Sequence, residues 1–159
     1  MLCAIGQDSH RFESDDSQKP LLLGGIIIPG CPGLAGNSDA DVVLHAITNA
    51  VSGISCVNVL GKIADDLCKK QGITDSNVYL QKAIETLGMY NIVHVSISIE
   101  AKRPHLSDYI LPMRKKIAEI LGITPDHVGI TATTGEGLTS FGRGEGIQAF
   151  VIITVEKSS

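Results

Sequence analysis

Ile92-Val93-His94-Val95-Ser96-Ile97-Ser98-Ile99-Glu100 is the stretch on which the fold interpretation depends. Apolar and polar residues alternate along it, which is typical of a β-strand with one buried face, and His94 falls on the solvent side. Further strand-like segments are separated by segments with helical periodicity, and sheets of this kind usually carry helices on one face. The predicted strands are residues 2–12, 91–100, 127–134 and 146–155, and the predicted helices are residues 39–54, 76–87 and 107–121.

The sheet face away from the helices also needs a partner. We expect its alternate residues to be Ile, Val and Ala rather than charged residues, so that it packs against other subunits. Residues 20–29 predict a short hairpin around Gly24-Gly25. Residues 55–75 predict a mobile loop with a short helical turn.

Length and composition limit the classes of function. A chain of 159 residues predicts a single domain, residues 1–159, and 43% hydrophobic residues are enough for a core. A net charge of −4 without a strongly basic stretch argues against nucleic acid as a main partner. The four cysteines form no Cys-x-x-Cys pair and predict reduced thiols in a cytoplasmic protein. We expect no signal peptide and no membrane span.

Asp8 and His10 form the first candidate for a metal site. Residues two apart in a strand project from the same face, so a carboxylate and an imidazole stand side by side there. This pair of side chains suits a divalent metal. An Asp-x-His motif alone is weak, and a polar strand face near a chain terminus is the alternative reading.

A helix start supplies a third candidate ligand. Ser38 is the expected N-cap, Asp41 completes a pattern similar to a capping box, and His45 lies one helical turn later. A half-buried helix histidine beside two acidic residues that favour the helix dipole is the alternative. Together, Asp8, His10 and His45 would give three ligands and leave one zinc coordination position open, which is the pattern of catalytic sites.

Thr133-Thr134-Gly135-Glu136-Gly137 is a candidate for phosphate binding. Hydroxyls and backbone N–H groups donate to phosphate, and one carboxylate with phosphate oxygens suits Mg²⁺. A glycine-rich turn whose threonines favour a strand explains the residues equally well. A second glycine-rich loop, Gly142-Arg143-Gly144-Glu145-Gly146, is weaker evidence for a phosphate site.

These motifs occur in one order over a short chain: Asp8-x-His10, Ser38-Asp39-Ala40-Asp41-Val42-Val43-Leu44-His45, Thr133-Thr134-Gly135-Glu136 and Gly142-Arg143-Gly144-Glu145-Gly146. The whole chain resembles the 2-C-methyl-D-erythritol 2,4-cyclodiphosphate synthase family of the non-mevalonate isoprenoid pathway. The resemblance implies a homotrimer of ferredoxin-like α+β subunits. It also implies that the sheets face the threefold axis and that the active sites lie between neighbouring subunits.

The resemblance implies an intramolecular phosphoryl transfer. The 2-phosphate of 4-diphosphocytidyl-2-C-methyl-D-erythritol 2-phosphate attacks the β-phosphorus, CMP leaves, and a cyclic diphosphate forms. Because the nucleophile is already an anionic oxygen, alignment and charge stabilisation are the main demands on the protein.

The resemblance also implies roles for individual residues. Asp8, His10 and His45 hold Zn²⁺, whereas Glu136 holds Mg²⁺ or Mn²⁺. Thr134 and Asn37 are the implied catalytic residues, Asn37 standing where the family usually has a transition-state-stabilising histidine. Residues 101–107 with Ala132 and Thr133 would form the cytidine pocket, and Arg143 and Glu145 would point toward the trimer axis. The implied substrate contacts are Ser9, Ser38, Val59, Leu60, Gly61, Ala101, Lys102, Arg103, Pro104, His105, Leu106, Ser107, Ala132, Thr133, Gly135, Phe141 and Arg143.

The chain departs from the family pattern in other places as well. Val59-Leu60-Gly61 replaces a usual Asp-Ile-Gly, His105 replaces a common lysine, and Phe141 stands one position after a usual aromatic. Two rival functions remain at the level of sequence. One is a different two-metal phosphoesterase, and the other is a non-catalytic trimeric protein that binds metal or isoprenoid diphosphate.

Overall fold

A four-stranded mixed sheet is the framework of the computed structural model, which describes residues 1–158. The strands are β1 (Leu2–Arg11), β2 (Pro20–Leu23), β3 (Ile26–Pro32), β4 (Tyr90–Glu100), β5 (Val128–Thr133) and β6 (Gly146–Lys157). The sheet order is β1-β6-β4-β5; β6 is antiparallel to both of its neighbours, whereas β4 and β5 are parallel. Strands β2 and β3 form a separate antiparallel hairpin.

Helices cover one face of this sheet, which confirms the predicted α+β class. They are α1 (Val42–Ser55), α2 (Lys62–Gln71), α3 (Ser76–Glu85) and α4 (Ile110–Leu121). Helix α1 packs on β1 and β6, α3 packs on α1, and α4 makes the crossover between the parallel strands. On β4, Val95, Ile97 and Ile99 are buried beneath the helices, while His94 is exposed as predicted. No helix within residues 1–158 is long and apolar enough to cross a membrane.

The outer sheet face is less apolar than the sequence analysis expected. Its large hydrophobic side chains are Ile5, Phe150 and Ile152, which are 65%, 44% and 50% exposed. Neighbouring outward positions carry hydroxyl groups, among them Ser96 and Ser98. The expected run of Ile, Val and Ala faces the helices instead, because those residues fill the core. The outer face is therefore a narrow apolar patch with polar surroundings.

The N-cap of α1 is Asp41, and the prediction of Ser38 was wrong. One carboxylate oxygen of Asp41 accepts from the backbone N–H groups of Val43 and Leu44, at 3.1 and 3.0 Å. The hydroxyl of Ser38 accepts instead from the N–H of Ala40, at 3.1 Å, in the preceding turn. Both residue types cap helices well, and tertiary contacts decide between them here.

Those tertiary contacts come from the β2–β3 hairpin. The carboxylate of Asp41 also accepts from the N–H groups of Gly24 and Gly25, at 2.9 and 2.7 Å. The side chain is only 1% exposed, and an ionised buried carboxylate requires several donors. The hairpin turn and the start of α1 are thus held by one side chain.

Residues 55–75, predicted as a mobile loop with a short helical turn, instead contain the ten-residue helix α2, so that prediction was wrong. Helix α2 carries two ion pairs at i, i+4 spacing, Asp65–Lys69 at 4.0 Å and Asp66–Lys70 at 2.9 Å. Its C-cap is Gly72, which adopts the left-handed conformation with φ 67°. The charged spacing and the glycine were the available signals for this helix.

Gly6 lets β1 lie directly against α1. A Cβ at this position would overlap the carbonyl oxygen of Ala46 and the backbone nitrogen of Ala50. Contacts this short exclude any side chain. The close approach places Asp8 and His10 of β1 beside His45 of α1.

Candidate active site

Asp8, His10 and His45 converge as predicted. Asp8 Oδ2 lies 3.0 Å from both His10 Nε2 and His45 Nδ1, and the two ring nitrogens are 3.2 Å apart. Tetrahedral zinc with bonds near 2.1 Å separates its ligand atoms by about 3.4 Å. Three N and O donors at this spacing therefore fit a divalent metal without rearrangement of the backbone.

The nitrogen on the far side of each imidazole ring is also bonded. His10 Nδ1 lies 2.8 Å from the carbonyl oxygen of Ala35. His45 Nε2 lies 2.8 Å from the hydroxyl oxygen of Ser76. Such contacts orient metal-binding histidines, so each ring presents one defined nitrogen to the site.

The site is electrostatically prepared for a cation. Burial raises the pKa of Asp8, but the hydrogen bond with His10 and the close contact with His45 outweigh burial and hold this pKa well below its usual range. The hydrogen bond to Asp8 raises the pKa of His10 above its ordinary value. Asp8 is therefore ionised at neutral pH, and a proton on His10 would have to leave when a metal binds.

A cavity of about 350 Å³ opens in front of these three side chains. Several predicted site residues line it: Asn37, Ser38, Leu60 and Gly61. Val59 does not, because its side chain is buried in the core at 1% exposure. The metal ligands thus face a space large enough for a phosphorylated small molecule.

A second cavity, of about 140 Å³, gathers most of the predicted cytidine pocket. The residues of the predicted cytidine pocket that line it are Ala101, Lys102, Pro104, His105, Leu106, Ser107, Ala132 and Thr133, and the predicted catalytic residue Thr134 lines it as well. Arg103 points elsewhere: its guanidinium lies 4.6 Å from the centre of the Phe12 ring and pairs with Asp15 at 3.2 Å. Its side chain therefore supports the Phe12 side of the loop rather than this cavity.

Glu136 lies in the turn after β5 and lines neither of these two cavities. Its backbone is left-handed, with φ 54°, and its side chain is exposed without a hydrogen bond to any residue in 1–158. Left-handed backbone is uncommon for residues other than glycine and often marks functional turns. The preceding Gly135 abuts the carboxylate of Glu100.

A protein-family model described as the YgbB family matches residues 1–156. This chain belongs to the YgbB family.

Curated relatives of this YgbB chain carry one enzyme name, 2-C-methyl-D-erythritol 2,4-cyclodiphosphate synthase. The protein of Chlamydia trachomatis serovar L2b is 53% identical over 152 residues, covering 95% of this chain and 85% of the relative. That of Chlamydia muridarum is 54% identical with the same coverage. A solved structure named as this synthase in a CDP-bound form has a TM-score of 0.86 and 25% identity, covering 98% of this chain and 100% of that chain.

Three further predicted residues of this YgbB chain lie near a third cavity. Ser9 and Phe141 line it together with Arg11 and Glu145. Arg143 pairs with Glu145 at 3.2 Å. The structure thus distributes the predicted substrate contacts over separate surfaces of one chain.

Several residues of the metal-side cavity, the one lined by Asp8, His10 and His45, were not predicted from the sequence. Asn49, Ala64, Asp65, Cys68 and Tyr79 also line it. Asn49 is detectable in principle, because it follows His45 by one helical turn and shares its face. The residues of α2 were missed because that segment was interpreted as a loop.

Proposed function

We propose that this YgbB-family chain is a cyclising phosphorus–oxygen lyase. It converts 4-diphosphocytidyl-2-C-methyl-D-erythritol 2-phosphate into 2-C-methyl-D-erythritol 2,4-cyclodiphosphate and CMP. The observation that carries the proposal is the convergence of Asp8, His10 and His45 on one cavity. It occurs in a chain that is 53% identical to a curated synthase of that name.

The proposed reaction needs positioning more than proton transfer, because the attacking phosphate oxygen is already an anion. Zn²⁺ held by Asp8, His10 and His45 would supply positive charge against a phosphate oxygen. The amide of Asn37, at the rim of the same cavity, donates to a phosphoryl oxygen as negative charge on these oxygens is redistributed during the transfer. Thr134 supplies a hydroxyl donor from the nucleotide side.

We place the cytidine in the second cavity. The buried residues Ala101 and Leu106 line it together with Lys102 and His105. The CDP-bound relative supports a nucleotide as the ligand of this fold. The substrate-contact roles of Ser9, Gly135, Arg103, Phe141 and Arg143 remain predictions, as do those of Val59, Leu60 and Gly61.

Glu136 is the proposed ligand for Mg²⁺ or Mn²⁺. Its carboxylate is exposed at the end of β5, close in sequence to the hydroxyls of Thr133 and Thr134. Magnesium commonly uses one or two carboxylates and completes its shell with substrate phosphates and water. A single uncommitted carboxylate beside a phosphate site fits that preference.

The active site is proposed to lie between subunits of a homotrimer. Within one chain, the metal-side cavity and the nucleotide cavity are lined by entirely different residues. The exposed patch of Ile5, Phe150 and Ile152 offers a surface for association. A neighbour that brings its nucleotide cavity against the metal of the first chain would complete one site.

The free thiols of the four cysteines support a reducing compartment, the cytoplasm.

The direct test is incubation of the protein with the diphosphocytidyl substrate, Zn²⁺ and Mg²⁺, followed by ³¹P NMR. We expect the resonances of the cyclic diphosphate and stoichiometric CMP. An open-chain product that has taken up water would favour a different two-metal phosphoesterase. Bound zinc with unchanged substrate would favour a non-catalytic binding protein.

Mixing two inactive variants tests the shared site. His10→Ala removes a metal ligand, and Thr133→Trp blocks the nucleotide cavity. If the two halves come from different chains, mixed trimers should recover part of the activity. A protein that is fully active and has the mass of a monomer in light scattering would overturn the proposed trimer.

A further inference from the structure

A polar trio, His45, Ser76 and Asp39, lies behind the metal-binding side of His45; His45 and Ser76 are buried and Asp39 is half-buried. Ser76, the first residue of α3, is 0% exposed, and its hydroxyl oxygen lies 2.8 Å from His45 Nε2. The same hydroxyl donates to Asp39 Oδ1. The backbone N–H of Ser76 donates to Asp39 Oδ2 at 2.9 Å. Both carboxylate oxygens of Asp39 therefore accept a hydrogen bond from Ser76.

The direction of these hydrogen bonds follows from the number of protons available. A carboxylate only accepts, so the single hydroxyl proton of Ser76 is committed to Asp39. The oxygen of Ser76 can then only accept from the ring of His45. Nε2 of His45 must therefore carry a proton, and in the neutral ring Nδ1 is left with its lone pair.

That lone pair points to the metal site. His45 Nδ1 is the atom that lies 3.0 Å from Asp8 Oδ2 and 3.2 Å from His10 Nε2. We propose that Asp39 and Ser76 are positioning residues that fix the ring orientation and the tautomer of His45 for metal binding. The inference rests on the proposed function, because a fixed orientation and tautomer of the His45 ring matter only if the site holds a metal.

The far side of the His10 ring is oriented by a backbone group and not by a side chain. His10 Nδ1 lies 2.8 Å from the carbonyl oxygen of Ala35. His45 instead depends on a side chain from another helix, and Asp39 is tied to the same region because its N–H donates to Thr74 O at 2.9 Å. The start of α3 is thereby coupled to one metal ligand and not to the other two.

We call the hydrogen bonds that run from Asp39 through Ser76 to His45 the relay. It is tested by the zinc affinity of the metal-free protein, measured without substrate against a chromophoric chelator. Ser76→Ala removes the acceptor for His45 and should weaken zinc binding about 10–100-fold. Asp39→Asn replaces one of the acceptor oxygens by a donor and should weaken binding in the same direction. Cobalt absorption spectra of both variants should report an altered ligand geometry.

Asp75→Ala is the matched control. The Asp75 side chain caps α3 by accepting from the N–H of Asn77 at 2.8 Å and takes no part in the trio. It should lower the melting temperature as a lost cap does while leaving zinc affinity unchanged. A variant that weakens α3 without touching the relay thus separates helix stability from ligand positioning.

The outcomes are distinguishable. Weaker zinc binding by Ser76→Ala and Asp39→Asn, with Asp75→Ala like wild type, supports the relay. Wild-type zinc affinity in Ser76→Ala, or equal losses in all three variants, overturns the relay while leaving the proposed function in place. A wild-type protein that takes up no zinc overturns both.

Discussion

The metal side and the Glu136 side of the proposed site are built in different ways. On the metal side, Asp8, His10 and His45 are partly or fully buried, and their ligand atoms lie 3.0 to 3.2 Å from one another. On the other side, Glu136 is exposed, left-handed in backbone and without a hydrogen bond to residues 1–158. Asp8 and His10 lie within β1, and Glu136 follows β5 of the same sheet, so the difference is in the surroundings of each side chain.

This difference teaches which part of a site a single chain can preorganise. The metal ligands are fixed by contacts between β1, α1 and α3, so their geometry exists before any ligand arrives. Glu136 has no such support, and its carboxylate would be ordered by the second metal and the substrate phosphates. Substitutions on the metal side should therefore lower zinc binding, whereas substitutions on the Glu136 side should lower turnover without loss of zinc.

The largest expected effect is that of His45→Ala. Loss of a direct ligand should exceed the roughly 10–100-fold loss of metal affinity seen when only a ligand's supporting contact is removed. Metal analysis should show zinc well below one per subunit, and turnover should fall with it. Full zinc occupancy together with wild-type turnover would remove His45 from the metal site.

Glu136→Gln should impair the Glu136 side of the site without affecting zinc binding on the metal side. The amide keeps the size of the side chain but lacks the charge that a second divalent ion requires. We expect kcat to fall toward the upper end of the roughly 10²–10³-fold range known for loss of one charge-stabilising group, with zinc content unchanged. The exposed Glu119 on α4 provides the control Glu119→Gln. Loss of zinc in the Glu136 variant would show that the sides are not independent.

Asn37 lies at the rim of the metal-side cavity and tests whether a neutral donor suffices there. Asn37→Leu removes the donor at similar size and should lower kcat at the lower end of the same roughly 10²–10³-fold range. Asn37→Asp should be at least as damaging, since it places a carboxylate near phosphate. Asn37→His should be tolerated, and kcat should rise as pH falls toward an imidazole pKa of about 6.5.

Zinc content must be checked in all three variants of Asn37. If Asn37→Leu turns over like wild type with its zinc intact, the residue is only part of the loop before α1.

The smallest effect is the pH dependence of zinc binding. Because the hydrogen bond to Asp8 raises the pKa of His10, the metal-free protein keeps a proton there to a higher pH than an ordinary histidine. Zinc must displace this proton, so affinity should fall as pH falls, by up to about tenfold per unit for one displaced proton. Calorimetry in buffers of different ionisation enthalpy would count the protons released. Affinity that stays constant from about pH 8 to pH 6 would contradict this assignment.

The sequence was most informative where side-chain chemistry and strand periodicity coincide. The alternation in residues 92–100 identified β4 and its buried face, and the spacing of Asp8 and His10 placed two ligands on one strand face. His45 could be added because helix periodicity is strong after Asp41. These predictions rely on local geometry, which the sequence encodes directly.

Tertiary contacts explain what the sequence did not reveal. Ser38 and Asp41 are both good caps, and the choice between them depends on amides of a distant hairpin turn. The roles of Ser76 and Asp39 depend on the packing of α3 against α1, which no local pattern shows. The composition of the outer sheet face was misjudged because assigning a residue to one face or the other requires the exact register.

The shared carboxylate of Asp41 has a consequence for how the protein opens. If either the hairpin turn or the first turn of α1 unfolded alone, a buried carboxylate would lose half of its donors while remaining out of water. The two segments should therefore exchange their amide hydrogens with deuterium as one cooperative unit, although Gly24 and Val43 are far apart in the chain. Since His45 lies one turn further along α1, every opening of the hairpin is also a transient loss of the metal site.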